Sequence, residues 1–175
     1  MLALTDLTPA SSLASQRPSS DSAGANGSTN GAIGVTNPTD MTGHISGHCL
    51  CGQVSFAFQG RPFLQVMCHC DSCRRASGGA IVGFLGLKDT QWRWTGEAPA
   101  SYESSPGVRR HFCMICGSAM GFQGDHYPGQ FFAHAAALSD PSLFAPTAHV
   151  HHDEILSWAT PRDDLPRHLT TDELL

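Results

Sequence analysis

Gly47-His48-Cys49-Leu50-Cys51-Gly52-Gln53-Val54-Ser55-Phe56-Ala57-Phe58 places two cysteines one residue apart, follows them with a glycine, and then alternates. Val54, Phe56 and Phe58 are apolar, while Ser55, Ala57 and Gln59 between them are small or polar. That period of two predicts a strand with one face buried. Gly52 permits the tight turn that lets both sulfurs face one ion. The layout recurs downstream, where Gly107–Phe112 reads as a strand and runs into Cys113-Met114-Ile115-Cys116-Gly117. Two cysteine turns, each beside a strand and each closed by a glycine, pair into one four-cysteine site. Bringing Cys51 and Cys113 together closes a loop at a cost of ~3–4 kcal/mol. Structural zinc supplies roughly 10–16 kcal/mol in peptide systems, so the closure is easily offset.

The other three cysteines form one local group, Cys68-His69-Cys70-Asp71-Ser72-Cys73, and no cysteine lies outside the three clusters. Seven thiols divide into a closed four-ligand site and a three-ligand site with one open position. Zinc that is structural is usually fully ligated by protein, whereas catalytic zinc keeps a place for water or substrate. A disulfide framework fits less well, since it favours an even count and an oxidising compartment. A redox Cys-x-x-Cys would explain only Cys113 and Cys116. An iron–sulfur cluster could use four of these thiolates and stays open as an alternative. The expectation is two zinc ions per chain: Cys49, Cys51, Cys113 and Cys116 on one, and Cys68, Cys70 and Cys73 on the other. The fourth position of the second site goes to water, a substrate thiolate, or a side chain such as His151 or His152, which otherwise read as surface residues of a loop.

His69 lies between two ligands, so an extended turn points it away from the ion they share, and it reads as a group behind the ligands or a surface residue rather than a ligand. His111 and His134 fall in strands and read equally well as core residues. Arg74 and Arg75 follow the three-cysteine group, and Arg109 and Arg110 precede the second turn. Arginine forks bind carboxylates bidentately, so Arg74 and Arg75 are the candidate substrate contacts, with solvated surface arginine as the alternative.

Residues 1–43 are rich in Ser, Thr, Gly, Ala, Asn and Pro and contain no aromatic residue. Such a segment buries too little apolar surface to offset its chain entropy and is expected to be disordered. All three Trp, both Tyr and all nine Phe lie beyond it, so residues 44–175 are the expected folded domain. Strands are predicted at Ala80–Leu87, Gln91–Thr95 and Gln130–His134, with helical turns at Ser72–Ser77 and in the C-terminal stretch. The breakers Gly96, Pro99, Pro106, Gly124 and Pro128 recur between them. The fold class is therefore all-β or β-rich, built from small twisted sheets with zinc knuckles. A formal charge of −5 and a single lysine, Lys88, argue against general nucleic-acid binding. Without a bilayer-length apolar run or a basic, apolar leader, the expected setting is the cytoplasm.

Three segments together carry a resemblance: Gly47–Phe56, Cys68–Gly78 and Arg110–Ser118. They resemble the glutathione-dependent formaldehyde-activating enzyme family, which includes centromere protein V, and Ser157–Pro166 looks like that family's C-terminal segment. The resemblance spans roughly residues 45 to 168. It implies a β-tent arrangement of sheets, a structural zinc on Cys49, Cys51, Cys113 and Cys116, and a catalytic zinc on Cys68, Cys70 and Cys73. It also implies carbon–sulfur lyase chemistry of the S-hydroxymethylglutathione synthase kind, with a small thiol such as glutathione and an aldehyde such as formaldehyde as partners. The competing class is a non-catalytic module in which both ions are structural and the surface recruits a macromolecule.

Deleting residues 1–43 is expected to leave melting temperature and metal content nearly unchanged, because that segment lacks the residues of a core. Thermal denaturation and elemental analysis of the shortened chain check this, and a large drop in melting temperature counts against it.

Overall fold

The computed structural model describes residues 43–175; the segment expected to be disordered, 1–43, lies outside them except for Gly43. Strands His44–His48 (β1), Ser55–Gln59 (β2) and Trp92–Trp94 (β5) form an antiparallel sheet in the order β1-β2-β5. A larger sheet of eight uses Leu64–Cys68 (β3), Val82–Lys88 (β4), Ala100–Ser105 (β6), Val108–Phe112 (β7), Ala119–Gly124 (β8), Gln130–His134 (β9), Ala148–Val150 (β10) and Arg167–His168 (β11). Its order is β11-β10-β3-β4-β9-β8-β7-β6, with parallel pairing only where β10 meets β3 and β11. The one α-helix among the described residues is short, Asp71–Ser77 (α1), and 3-10 turns punctuate the C-terminal stretch. The chain is β-rich, as its sequence predicts.

Alternation along β4 and β9 explains where the two cores sit. Leu85, Leu87, Phe131 and Ala133 face one way and join Ile45, Phe56 and Phe58 of the small sheet in a first core. Val82, Phe84 and Phe132 face the other way and join Leu64, Val66 and Val150 in a second. Side chains of successive strand residues point to opposite faces, so a strand covered on both faces reads as a continuous apolar run rather than an alternating one. That is the pattern of Val82–Leu87. Aromatic rings fill both layers: Trp92 stacks on Phe131 at 4.0 Å in the first, and Phe122 on Phe132 at 4.8 Å in the second. Each core holds one cysteine group, Cys49 and Cys113 in the first and Cys68 and Cys73 in the second.

Expected and observed strands agree closely at β9, β7 and β5. Six observed strands, β1, β3, β6, β8, β10 and β11, are not among those predicted. β1 has one large apolar residue, Ile45. β6, Ala100-Ser101-Tyr102-Glu103-Ser104-Ser105, lies at the sheet edge with nearly every side chain in solvent. β10 and β11 are three and two residues long. β3 does alternate, with Leu64, Val66 and Cys68 buried, but it runs straight into the cysteine group.

His134 ends β9 with its ring edge-on to Phe84, the centres 5.1 Å apart. Burial, and secondarily the charge of Arg110, push its pKa down to about 4. The unfolded chain therefore takes up this proton first as pH falls, so the contribution is complete above the ordinary pKa near 6.5 and is lost as pH falls from there toward 4. His134→Phe is expected to lose less stability than the parent over that interval, by about 3 kcal/mol. Denaturant melts at several pH values measure the difference, and parallel curves would refute it.

Candidate metal centres

Two turns of similar design build the first centre. In one, the Gly52 amide donates to the Cys49 carbonyl at 3.0 Å; in the other, the Gly117 amide donates to the Cys113 carbonyl at 2.8 Å. Both glycines have positive φ, 79° and 74°, a conformation that side chains with a Cβ rarely adopt. The Cys49 amide donates to Val54 O and the Cys113 amide to Ser118 O, which closes each turn onto its strand. The four sulfurs of Cys49, Cys51, Cys113 and Cys116 all lie within 4.8 Å of one another. Cys51 Sγ is 3.5 Å from Cys49 Sγ and 3.7 Å from Cys113 Sγ, a residue 62 positions away. The Val54 amide also donates to Cys49 Sγ, and Ser118 Oγ, which accepts from the Leu50 amide, lies 3.2 Å from Cys116 Sγ. Polar hydrogens around the sulfurs favour the thiolate form.

The second centre is local. Cys68 ends β3, where it is paired on both sides, with Val82 of β4 and Val150 of β10. Cys70 caps α1, its sulfur accepting from the Cys73 amide at 3.3 Å, and Cys73 lies in the first turn. A capping acceptor holds an otherwise orphan helix amide, so the cap and the ligand are one atom. The three sulfurs lie within 4.8 Å of one another, and no other described His, Cys, Asp or Glu donor joins the set. Hydrogen bonds from the Cys68 and Cys73 thiols push Cys70 down, while bonding to Cys70 and Cys73 pushes Cys68 up. Thiolates this close repel one another, and a divalent cation would offset that repulsion. The donor set therefore fits a thiophilic ion, and zinc among these, at both centres.

A cavity of about 210 Å³ opens beside Cys68, Cys70 and Cys73. Its walls are mostly apolar, including Val66, Phe84 and Phe122, and Arg110 is its one cationic side chain of fixed charge. Arg110 Nη1 stands 4.0 Å from Cys73 Sγ, Nε donates to Ser104 Oγ at 3.0 Å, and the guanidinium lies over the Phe122 ring. His151 also lines the cavity, and it is the one described non-glycine residue with positive φ, 56°.

Arg74 and Arg75, expected from the sequence as substrate contacts, are engaged in local bonds. The Arg74 guanidinium donates to the carbonyls of His69 and Glu154 and to Asp71 Oδ1, which fastens the ligand turn to the segment after β10. Arg75 pairs with Asp71 at 2.7 Å and is 79% exposed. Neither lines the cavity. The signal that separates Arg110 from its neighbours is strand alternation: Val108 and Arg110 share one face of β7, and both meet the cavity.

His69 points away from the sulfurs, as its position between two ligands implies, but it is fully buried rather than at the surface. Its Nε2 lies 2.8 Å from His149 Nδ1, and His149 Nε2 lies 2.9 Å from Asp163 Oδ1. Burial, then the neighbouring His149 and Arg74, push His69 down to about 4. Neither His149 nor Asp163 was legible as part of the site from the sequence, because each reaches it only through a neighbour.

The two centres differ in what their loss should do. Cys113→Ser is expected to prevent cooperative folding, because the first centre joins segments 62 residues apart and its binding energy is folding energy. Cys70→Ala is expected to keep a cooperative melt while losing one ion. Circular dichroism melts with elemental analysis compare the two, and equal stability of both variants would contradict the contrast.

The family model described as glutathione-dependent formaldehyde-activating enzyme matches residues 44–154, a span that includes both cysteine groups. No curated protein matches the chain. Among solved structures, a crystal structure of a Rhodobacter sphaeroides protein is 21% identical, covering 70% of this chain and 98% of that one with a TM-score of 0.45, too low a likeness to bear on function. The matched span is well over half of the 175 residues, and the chain belongs to the glutathione-dependent formaldehyde-activating enzyme family.

Proposed function

We propose that this protein is a zinc-dependent carbon–sulfur lyase that makes and breaks the adduct of a thiol and an aldehyde, as an S-hydroxymethylglutathione synthase does. The observation that carries this reading is a three-sulfur donor set, one ligand short of a tetrahedron, facing a cavity with a single fixed cation. Family membership supports glutathione and formaldehyde as the pair. In adduct formation a carbon–sulfur bond forms, the carbonyl electron pair moves to oxygen, the oxygen gains a proton and the thiol loses one. A zinc ion at the second centre supplies Lewis acidity to the thiol and the aldehyde.

The rest falls to the chain's own side chains. Arg110, anchored by Ser104 and the Phe122 face, presents donors to a carboxylate of the thiol substrate. Phe84, Phe122 and Val66 exclude water from the reacting atoms, which strengthens every charge interaction in the cavity. Cys49, Cys51, Cys113 and Cys116 hold a structural ion in this reading, and the pair of sheets pinned there corresponds to the family's β-tent. Seven cysteines without a disulfide suit a reducing compartment, so we place the protein in the cytoplasm. No helix among the described residues is long and apolar enough to cross a membrane.

One observation favours the non-catalytic alternative. Leu50, Met114 and Ile115, at the tips of the two knuckle turns, are 85%, 80% and 74% exposed, which suits a surface that meets a partner.

Exchange of glutathione with formaldehyde, followed by NMR above the uncatalysed rate, separates the readings. Cys70→Ala is expected to bring exchange down to that background. Arg110→Gln is expected to raise KM for glutathione roughly tenfold or more and to leave an uncharged thiol unaffected, as loss of a charged hydrogen bond implies. Background exchange in the two-zinc parent would favour the binding module, and catalysis surviving in a folded Cys70→Ala protein that lacks the second ion would remove the catalytic role from that centre.

A further inference from the structure

His69, His149 and Asp163 form a continuous hydrogen-bonded chain that ends on the residue between Cys68 and Cys70 in the sequence. The spacings are 2.8 Å from His69 Nε2 to His149 Nδ1 and 2.9 Å from His149 Nε2 to Asp163 Oδ1. Both rings are 1% exposed, whereas the Asp163 side chain is 46% exposed. With both rings neutral, the carboxylate fixes the direction of the chain. It can only accept, so His149 carries its proton on Nε2 and offers a lone pair at Nδ1; His69 must then donate from Nε2.

We infer that Asp163 is a positioning residue for the second metal centre, acting through His149 and His69 to hold the Cys68–Cys70 turn in a shape in which three sulfurs meet one ion. This rests on the reading of that cluster as a metal site.

Four further observations support it. The His69 amide donates to Val150 O and the His149 amide to Pro166 O, so backbone bonds tie the same three segments that the side chains join. The Arg74 guanidinium holds the carbonyl of His69, leaving its ring as the free handle on the turn. The Leu165 amide donates to Asp163 Oδ1, fixing the carboxylate, and His149 followed by that amide holds its pKa below the usual carboxylate range. Finally, Asp163 lies beyond residues 44–154, outside the span that the family model matches. The segment after the matched span thus reaches back to the metal-binding turn. Groups that orient a metal's ligands without touching the metal typically change affinity ten- to a hundredfold when replaced.

The test measures metal protection of each cysteine in the full-length, zinc-loaded protein. Alkylation under a graded chelator, mapped by mass spectrometry, gives an apparent affinity for each centre. Asp163→Leu is expected to weaken zinc at Cys68, Cys70 and Cys73 by roughly tenfold or more while Cys49, Cys51, Cys113 and Cys116 stay protected. Asp163→Asn keeps an acceptor oxygen and is expected to retain most of the parent's protection. His149→Phe keeps the ring volume but cuts the chain, so it is expected to match Asp163→Leu, and adding Asp163→Leu to it should cost nothing more. Unchanged protection of Cys68, Cys70 and Cys73 in Asp163→Leu or His149→Phe overturns the inference, as does a loss in Asp163→Asn equal to that in Asp163→Leu. If Asp163→Leu exposes all seven cysteines by unfolding, His149→Phe and Asp163→Asn decide on the same criteria. A parent protein in which Cys68, Cys70 and Cys73 are never protected would instead sink the metal reading of that cluster, and the inference with it.

Discussion

Four sulfurs from two glycine-closed turns converge across 62 residues of sequence, and that convergence sets the geometry of what lies between them. Each turn continues a strand. Joining the turns brings the start of the small sheet against the β7–β8 end of the large one, and Cys49 and Cys113 sit in the core that the two sheets share. Closing such a loop costs about 3–4 kcal/mol, several times less than a structural zinc ion contributes. An ion held there would cross-link a mostly apolar core, in a chain whose strands include several only two or three residues long.

The second cysteine group uses the opposite arrangement. Its ligands are neighbours in sequence, so an ion there closes almost no loop and contributes little to the global fold. What holds the group in shape is instead its packing: Cys68 is locked in the middle of the large sheet, and Cys70 caps the helix that carries Cys73. Rigid placement with an incomplete donor set is the combination expected of a centre that works on a ligand. The cavity beside it is walled by the second core, so the apolar side chains that stabilise the sheet also line that space.

Charge around that cavity is sparse and already partnered. Arg74 is committed to carbonyls of the ligand turn and of the segment after β10, and Arg75 to Asp71 on the helix surface. Arg110 alone points a guanidinium at the sulfurs from across the sheet. The division follows from geometry. A helix seven residues long turns its arginines back onto its own first turn and neighbouring carbonyls, whereas a strand sends alternate residues to the opposite face of a layer.

The sequence alone determined the β-rich class, the division of seven cysteines into four and three, and the strands at Val108–Phe112 and Gln130–His134. These properties are local: a period of two, a glycine after a cysteine pair, and ligands within six residues of one another all leave a mark in a short window. Residues that act through long-range contact leave none. Arg74 and Arg110 look alike in the sequence, each one of two adjacent arginines beside a cysteine turn, and only the sheet order puts one against the cavity and the other behind the ligand turn. The same holds for His149 and Asp163, which stand 80 and 94 positions from His69 and reach it because β10 pairs in parallel with β3. Tertiary structure decided these because a parallel pairing joins segments that no sequence window contains.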